Sequence, residues 1–186
     1  MQLFRANIAH FPTPNTASST FAEDIAIIHD GGLVIEGKKI IATGSFSSMR
    51  EQYPNAVLHD HKDSWILPGL IDSHLHYPQT ESIASYGEQL LSWLENYTFP
   101  TEKQFASVEH AQKIAKVFLQ QLLKNGTTTG FVFSSVHQGC SNALFSAASE
   151  IDMAIVAGKV CMDRNCPADL QDCPDTAQKD SAVLIE

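Results

Sequence analysis

Residues 68–80 read PGLIDSHLHYPQT, and this stretch decides how the rest of the chain is read. An apolar run beginning at Trp65 ends here in polar residues and a His-x-His pair. In a strand over residues 66–76, side chains alternate with period two, so His74 and His76 share a face and their imidazoles can converge on one ion. Asp72 falls on the same face and could orient an imidazole from outside the metal shell. Pro68-Gly69 allows a bend where the strand begins. Two same-face histidines are costly inside a core unless partnered, which favours a metal over a packing role. A second His-x-His, in LHDHK at residues 58–62, lies among Asp60, Lys62 and Asp63. That setting reads as a solvated approach to the buried strand, with no cavity to close around an ion.

Outward from this stretch the chain has two styles. Residues 1–66 are β-rich. Ile25–Ile28, 33–35 and 40–42 are strand candidates punctuated by Gly31-Gly32, Glu36 to Lys39 looks like a hairpin turn, and Pro12 and Pro14 mark a surface loop. Residues 67–186 alternate strands with helices. TEKQ at 101–104 fits a capping box with Thr101 as N-cap. Val108, Ala111, Ile114, Ala115, Phe118 and Leu122 then recur at helical spacing. Asn125-Gly126 ends that helix. TTTGFVF at 127–133 reads as a buried strand, 141–150 as a short helix and 154–162 as another buried strand. A polar loop follows from Asp163, and SAVLIE at 181–186 starts a further helix. The order strand, helix, strand, helix, strand is that of a parallel sheet covered by helices, an α/β fold.

Composition excludes some classes. The 186 residues are 44% apolar and 18% charged, with net charge −9. Acidity of this size argues against a protein that tracks nucleic-acid phosphates. No apolar run is long enough for a membrane span or a secretory signal. The four cysteines form no C-x-x-C pair and read as reduced thiols of a cytoplasmic protein. The chain has neither the H-x-E nor the P-C-x-x-C element of the cytidine-deaminase type of zinc site.

LPGLIDSHLH resembles the first-strand signature of the amidohydrolase superfamily, metal-dependent hydrolases on a (β/α)8 barrel. The EGKKIIATG hairpin resembles part of the small β-sandwich that many members carry. SWLENYTFP, KNGTTT and GKVCMD are similar to the guanine deaminase branch of that superfamily. The resemblance implies a partial (β/α)8 barrel, with three βα units over 67–186, preceded by a β-sandwich segment over 1–66. It implies that His74 and His76 are ligands of a catalytic zinc, with iron also suited to imidazole. It implies that Gln79 contacts the purine, where an amide can both donate and accept. It places Trp93 and Leu94 in the base pocket. Spacing alone makes Leu90, Leu91, Trp93, Leu94 and Tyr97 one face of an amphipathic helix. His137 could face the same mouth, although a surface or loop role suits it better, and Asp163 and Asn165 are candidates for loop support near the site.

The implied reaction is hydrolytic deamination of guanine to xanthine and ammonia, by a protein that is a homodimer like its relatives. A full barrel needs ~250 residues. The further histidines, the proton-shuttling glutamate, the base-contacting arginine and the last-strand aspartate are therefore expected beyond residue 186. On that expectation the chain is part of a longer enzyme and is inactive by itself. The alternatives are another heterocycle deaminase or chlorohydrolase, or an inert fragment that acts as an interaction module.

Overall fold

A computed structural model describes residues 1–11, 25–87 and 89–185. Pro12 and Pro14, read above as a loop, lie outside the described residues. The chain divides into two compact units, Met1–Pro68 and Gly69–Glu186.

The first unit holds a four-stranded sheet in the order β3-β2-β1-β4. Its strands are β1 (Gln2–His10), β2 (Ala26–Glu36), β3 (Lys39–Ser45) and β4 (Val57–Ile66). β2 and β3 close as the expected hairpin at Glu36 opposite Lys39. Gly37 sits in that turn at φ +59°, a conformation glycine adopts without a Cβ penalty. Helix α1 (Phe46–Gln52) starts at Ser45, whose Oγ accepts the Ser48 N–H at 3.3 Å. It brings Met49 onto Leu3, Val34 and Ala56 to form the core of this unit.

Two expectations are corrected here. Gly31-Gly32 does not divide two strands, because β2 runs straight through both. The glycines permit close approach instead. A Cβ on Gly32 would stand 2.8 Å from Met49 Cβ, and one on Gly31 2.7 Å from Ile8 Cδ1. LHDHK, read as a solvated approach, lies within β4, which pairs in parallel with β1 from Gln2–Val57 to Ile8–Ile66, and its residues are exposed apart from the half-buried His59. β4 also claims Trp65 and Ile66, so the strand expected over 66–76 begins only at Leu70.

The second unit holds a three-stranded parallel sheet, β5 (Leu70–His76), β6 (Thr127–Phe133) and β7 (Ala154–Gly158), in that order. A 3-10 turn, Tyr77–Ser82, follows β5. Then come α2 (Leu90–Trp93), a π-helical turn (Leu94–Thr98) and α3 (Phe99–Lys103). The long helix α4 (Val108–Lys124) links to β6, and α5 (Gln138–Glu150) links β6 to β7. Helix α6 (Pro174–Ile185) closes the described chain. α4 and α5 cover one face of the sheet. Ile114, Phe118 and Leu119 of α4 and Leu144 and Ala147 of α5 pack around Val132 of β6, with Leu75 and Ile155 beside them. Burial of this apolar stripe, rather than helix propensity, holds α4 in place.

The capping box at Thr101 is also corrected. Thr101 lies within α3, and its Oγ1 donates to the Tyr97 carbonyl at 2.7 Å. The N-cap of α4 is Ser107, whose Oγ accepts the His110 N–H at 3.3 Å. β6 has the expected bounds but is buried on one face only, with Phe131 and Phe133 45% and 46% exposed. β7 stops at Gly158, short of Met162, and its residues are exposed or half-buried. α5 starts three residues before the expected 141, and α6 starts at Pro174 rather than 181.

Candidate active site

β5 presents the His-x-His pair at its C-terminal end, where the chain turns into the 3-10 segment. The ladder to β6 is irregular between Asp72 and Leu75, where Ser73 and His74 of β5 stand against the single Phe131 of β6. Such a bulge re-aims the side chains beside it. Asp72 takes part through the backbone, since its Oδ1 accepts the His74 N–H at 3.1 Å. The imidazole contact expected of Asp72 is replaced by this local turn-like bond. Even with the bulge, the two rings meet: His74 Nε2 and His76 Nε2 are 3.2 Å apart. Phe133, at the end of β6, stacks on the His76 ring at 4.9 Å and meets His74 edge-on at 5.3 Å. Burial, and then the neighbouring His74, hold the His76 imidazolium below its ordinary pKa, which keeps a lone pair available for a metal.

The pair fits a zinc-sized ion. With Zn–N distances of about 2.0–2.1 Å, the observed 3.2 Å separation would subtend about 100° at the metal, near the tetrahedral angle. Two imidazoles alone leave such a site short of the usual three or more protein ligands. No cluster of three or more His, Cys, Asp or Glu suited to a metal occurs among the described residues.

The turn after His76 is pinned from below. Tyr77 is fully buried, packs edge-on against Phe105 at 5.0 Å, and donates its hydroxyl to the Ala111 carbonyl of α4. Thr80 Oγ1 donates to the Tyr77 carbonyl at 2.6 Å, and Ser82 Oγ to the Gln79 carbonyl at 2.9 Å. These bonds carry Gln79 to the site. Its Nε2 lies 3.3 Å from His76 Nδ1 and donates to Glu102 Oε1 at 3.1 Å.

A cavity of about 490 Å³ adjoins this group, with His74, Leu75, His76, Gln79, Trp93 and Phe118 among its lining residues. Its size suits a small heterocycle. Of the candidate residues, the structure therefore brings His74, His76, Gln79 and Trp93 together, whereas Leu94 is half-buried and is not among the lining residues. The amphipathic face expected over 90–97 is broken by the π-helical turn at Leu94, and Leu90 and Leu91 are 67% and 73% exposed.

The remaining candidates lie elsewhere in the unit. His137 is the N-cap residue of α5, half-buried, with an Nε2 that has no hydrogen-bond partner among the described residues. Burial and the nearby Lys159 lower its pKa, against an opposing pull from Asp169. Asp163 accepts two hydrogen bonds from its neighbour Arg164, at 3.1 and 2.9 Å, and Asn165 takes a left-handed backbone at φ +56°. Both are exposed loop residues. In the first unit, His59 stacks on Phe4 at 4.6 Å, and Asp60 meets Arg5 at 3.3 Å.

Sequence reasoning missed Glu102, Phe133 and Lys159. Glu102 is 7% exposed. Lys159 is fully buried against Asp172, with Asp180 at 3.8 Å. The signal for Phe133 was available, because the last residue of a strand parallel to β5 stands beside the His-x-His end. Nothing in one dimension marks Glu102 or Lys159 as buried.

Comparison with known proteins bears on this geometry. The family model described as "Amidohydrolase family" matches residues 65–186. Guanine deaminase of Escherichia coli (strain K12) is 43% identical over 166 residues, covering 89% of this chain and 38% of that protein. The solved structure of E. coli guanine deaminase superposes with a TM-score of 0.90 at 39% identity, over 100% of this chain and 43% of the other. Guanine deaminase from C. acetobutylicum, solved with guanine bound in the active site, gives a TM-score of 0.80 at 29% identity, over 99% of this chain and 42% of the other. The chain thus spans about two fifths of the length of the relatives it matches.

Proposed function

The chain belongs to the amidohydrolase family, and from that premise we propose that it forms part of a zinc-dependent guanine deaminase. In this reading residues 67–186 are the first three βα units of a (β/α)8 barrel and residues 1–66 are part of its β-sandwich. The complete protein converts guanine to xanthine and ammonia. The observation that carries the reading is the convergence of His74 and His76, with Gln79 three residues on, at the wall of one cavity. Identity to proteins named guanine deaminase across almost the whole chain supports the choice of substrate.

His74 and His76 would hold the metal, zinc or iron, through Nε2, with the other ligands supplied from outside this chain. Bound there, the ion would supply Lewis acidity, bringing the pKa of a water near neutrality for attack on the carbon bearing the amine. The chain's own residues do the rest of the binding. Phe133 fixes the imidazole planes by ring contact. Gln79 hydrogen-bonds the base edge. Trp93 would pack on the base and exclude water, with Leu94 supporting it from the adjoining turn. The proton-shuttling carboxylate and the base-contacting arginine belong to the remainder of the enzyme. The reading includes a homodimer and a cytoplasmic location. Free cysteines at Cys161 and Cys173, both exposed, suit a reducing compartment.

The test uses the complete protein, with metal content and conversion of guanine measured together. A protein that holds its metal yet leaves guanine unchanged while acting on another aminated heterocycle would overturn the substrate. His74→Ala and His76→Ala should each lower metal stoichiometry, and Gln79→Ala should spare it while impairing turnover of guanine.

A further inference from the structure

Glu102 is a carboxyl group almost wholly removed from solvent, at 7% exposure, in the short helix α3. Burying a carboxylate is expensive unless its hydrogen bonds are replaced. Here the replacement comes from Gln79, whose Nε2 donates to Glu102 Oε1 at 3.1 Å. Gln79 lines the cavity and Glu102 does not, so the carboxyl stands behind the amide rather than facing a ligand.

A glutamine amide has a donor end and an acceptor end of nearly the same shape, and either can be turned toward a ligand. The other neighbour of Gln79 pulls the opposite way. With a metal on Nε2, the ring proton of His76 sits on Nδ1, 3.3 Å from Gln79 Nε2, and favours the amide oxygen there, so Glu102 has to outweigh it. Burial raises the pKa of Glu102 and the hydrogen bond from Gln79 opposes that rise; in its ionised form the carboxylate only accepts, and it is this form that dictates the amide's orientation. Turning the amide over would set its carbonyl oxygen against Glu102 Oε1.

We propose that Glu102 is a positioning residue: it holds the NH2 end of Gln79, so that the carbonyl end of the amide is offered to N–H donors of the base. This rests on the reading that Gln79 contacts guanine. Guanine carries such donors at its ring N–H and its exocyclic amine. A pocket wall that presents an acceptor selects bases with a donor on the facing edge and disfavours bases with an acceptor there.

The test is a double-mutant cycle on the complete, metal-loaded protein. Glu102→Gln keeps the shape of the side chain but can donate as well as accept, so it no longer dictates which end of Gln79 faces the ligand. Loss of one oriented hydrogen bond should raise KM for guanine about tenfold, with kcat less affected and metal content unchanged. Glu102→Asp, which withdraws the oxygen by one methylene, should shift KM in the same direction. In a Gln79→Ala background, Glu102→Gln should change KM less than about twofold, because residues acting as one unit are not additive. An undiminished KM penalty in that background would mean that Glu102 acts through the fold, and would overturn the proposal. A second readout does not depend on turnover. With glutamine-selective 15N labelling, the Gln79 side-chain NH2 signals are those lost in Gln79→Ala, and Glu102→Gln should move them. If the wild type fails to deaminate guanine but these signals move, the proposed substrate is wrong and the positioning stands. If they do not move, the positioning is wrong whatever the substrate.

Discussion

Tyr77 joins the site to the core, and its replacement separates two kinds of support. The side chain is 0% exposed, sits 5.0 Å from Phe105 and 5.7 Å from Phe118 between ring centroids, and donates to the Ala111 carbonyl. Tyr77→Phe removes only the hydroxyl. The Ala111 carbonyl lies inside α4, where the helix ladder offers it another donor, so the cost should stay near the net worth of one hydrogen bond, about 1 kcal/mol. Tyr77→Ala also empties the space between two aromatic rings and should cost about 3–5 kcal/mol. The assay is urea unfolding followed by far-UV circular dichroism, with metal content measured on the same samples.

Tyr77→Phe should keep the metal, because the ring still anchors the turn between His76 and Gln79. Tyr77→Ala should lose it at urea concentrations below those that unfold the protein. If the two variants cost the same, the hydroxyl rather than ring packing holds the turn, and the reasoning fails. The phenol gives an independent check. Burial, and then Cys140, push its pKa well above the usual value near 10. A raised folded pKa contributes stability that is fully present below the unfolded value and is lost as pH rises past it. Alkaline titration at 295 nm should therefore find this phenol silent near pH 10 until the chain unfolds, and its titration in the native state would contradict its burial.

Other perturbations test the frame around the site. Lys159→Met removes the cation from Asp172, which keeps its hydrogen bonds from Thr176 and Cys173, and should cost about 1–3 kcal/mol. Lys159→Met with Asp172→Leu should recover most of that, and urea midpoints that show no recovery would mean that the pair is not buried as described. Ser107→Ala removes the N-cap of α4 and should cost about 1 kcal/mol, whereas Thr101→Ala should leave the start of α4 protected, both read by amide exchange of residues 108–111. In Gly69→Ala a Cβ would stand 2.0 Å from Thr128 Oγ1 and 2.7 Å from Thr128 Cβ. The overpacking should cost about 1–3 kcal/mol in thermal unfolding, and Thr128→Ala should relieve only part of it.

The segments legible in the sequence are those where local chemistry and tertiary packing agree. β6 has the bounds read from TTTGFVF because β-branched residues follow directly on a helix end at Asn125-Gly126, where Gly126 takes φ +83°. The alternation of α4 is legible because Ala111, Ile114, Ala115 and Phe118 are the residues the core takes. Misread segments are those where a neighbour reassigns a local signal. TEKQ has the composition of a cap, but residues 99–103 are already helical, so Thr101 turns back to Tyr97. Gly31-Gly32 has the composition of a turn, but the approach of Met49 and Ile8 is what needs it. α6 carried a usable signal that was passed over: Pro174 opens the helix, where its missing N–H costs nothing, and Thr176 Oγ1 donates to Asp172 just ahead of it at 2.6 Å.

The two His-x-His pairs make the same point at the level of chemistry. Equal spacing gives both pairs the chance to share a face, yet the outcome depends on what the strand meets. In β4 the His59 ring is engaged by Phe4, and the intervening Asp60 by Arg5. In β5 the bulge after Asp72 and the Phe133 ring turn both imidazoles toward one point, 3.2 Å between nitrogens. The next turn, pinned by Tyr77, adds Gln79 within reach of the same ring. The functional content of PGLIDSHLHYPQT is therefore less the His-x-His motif than the four residues after it. Tyr77 fixes where the turn goes, and on the proposed function Gln79 would contact the base beside the imidazoles. A substitution series that exchanges HLH for HDH while keeping YPQT should preserve metal content, because Leu75 packs against the helix-covered core. The cost should appear in stability instead, at about 2–5 kcal/mol or more for replacing a packed leucine with an uncompensated carboxylate. Loss of metal in a Leu75→Asp protein that remains folded would show that the core contact of Leu75, and not the turn, aims the two rings.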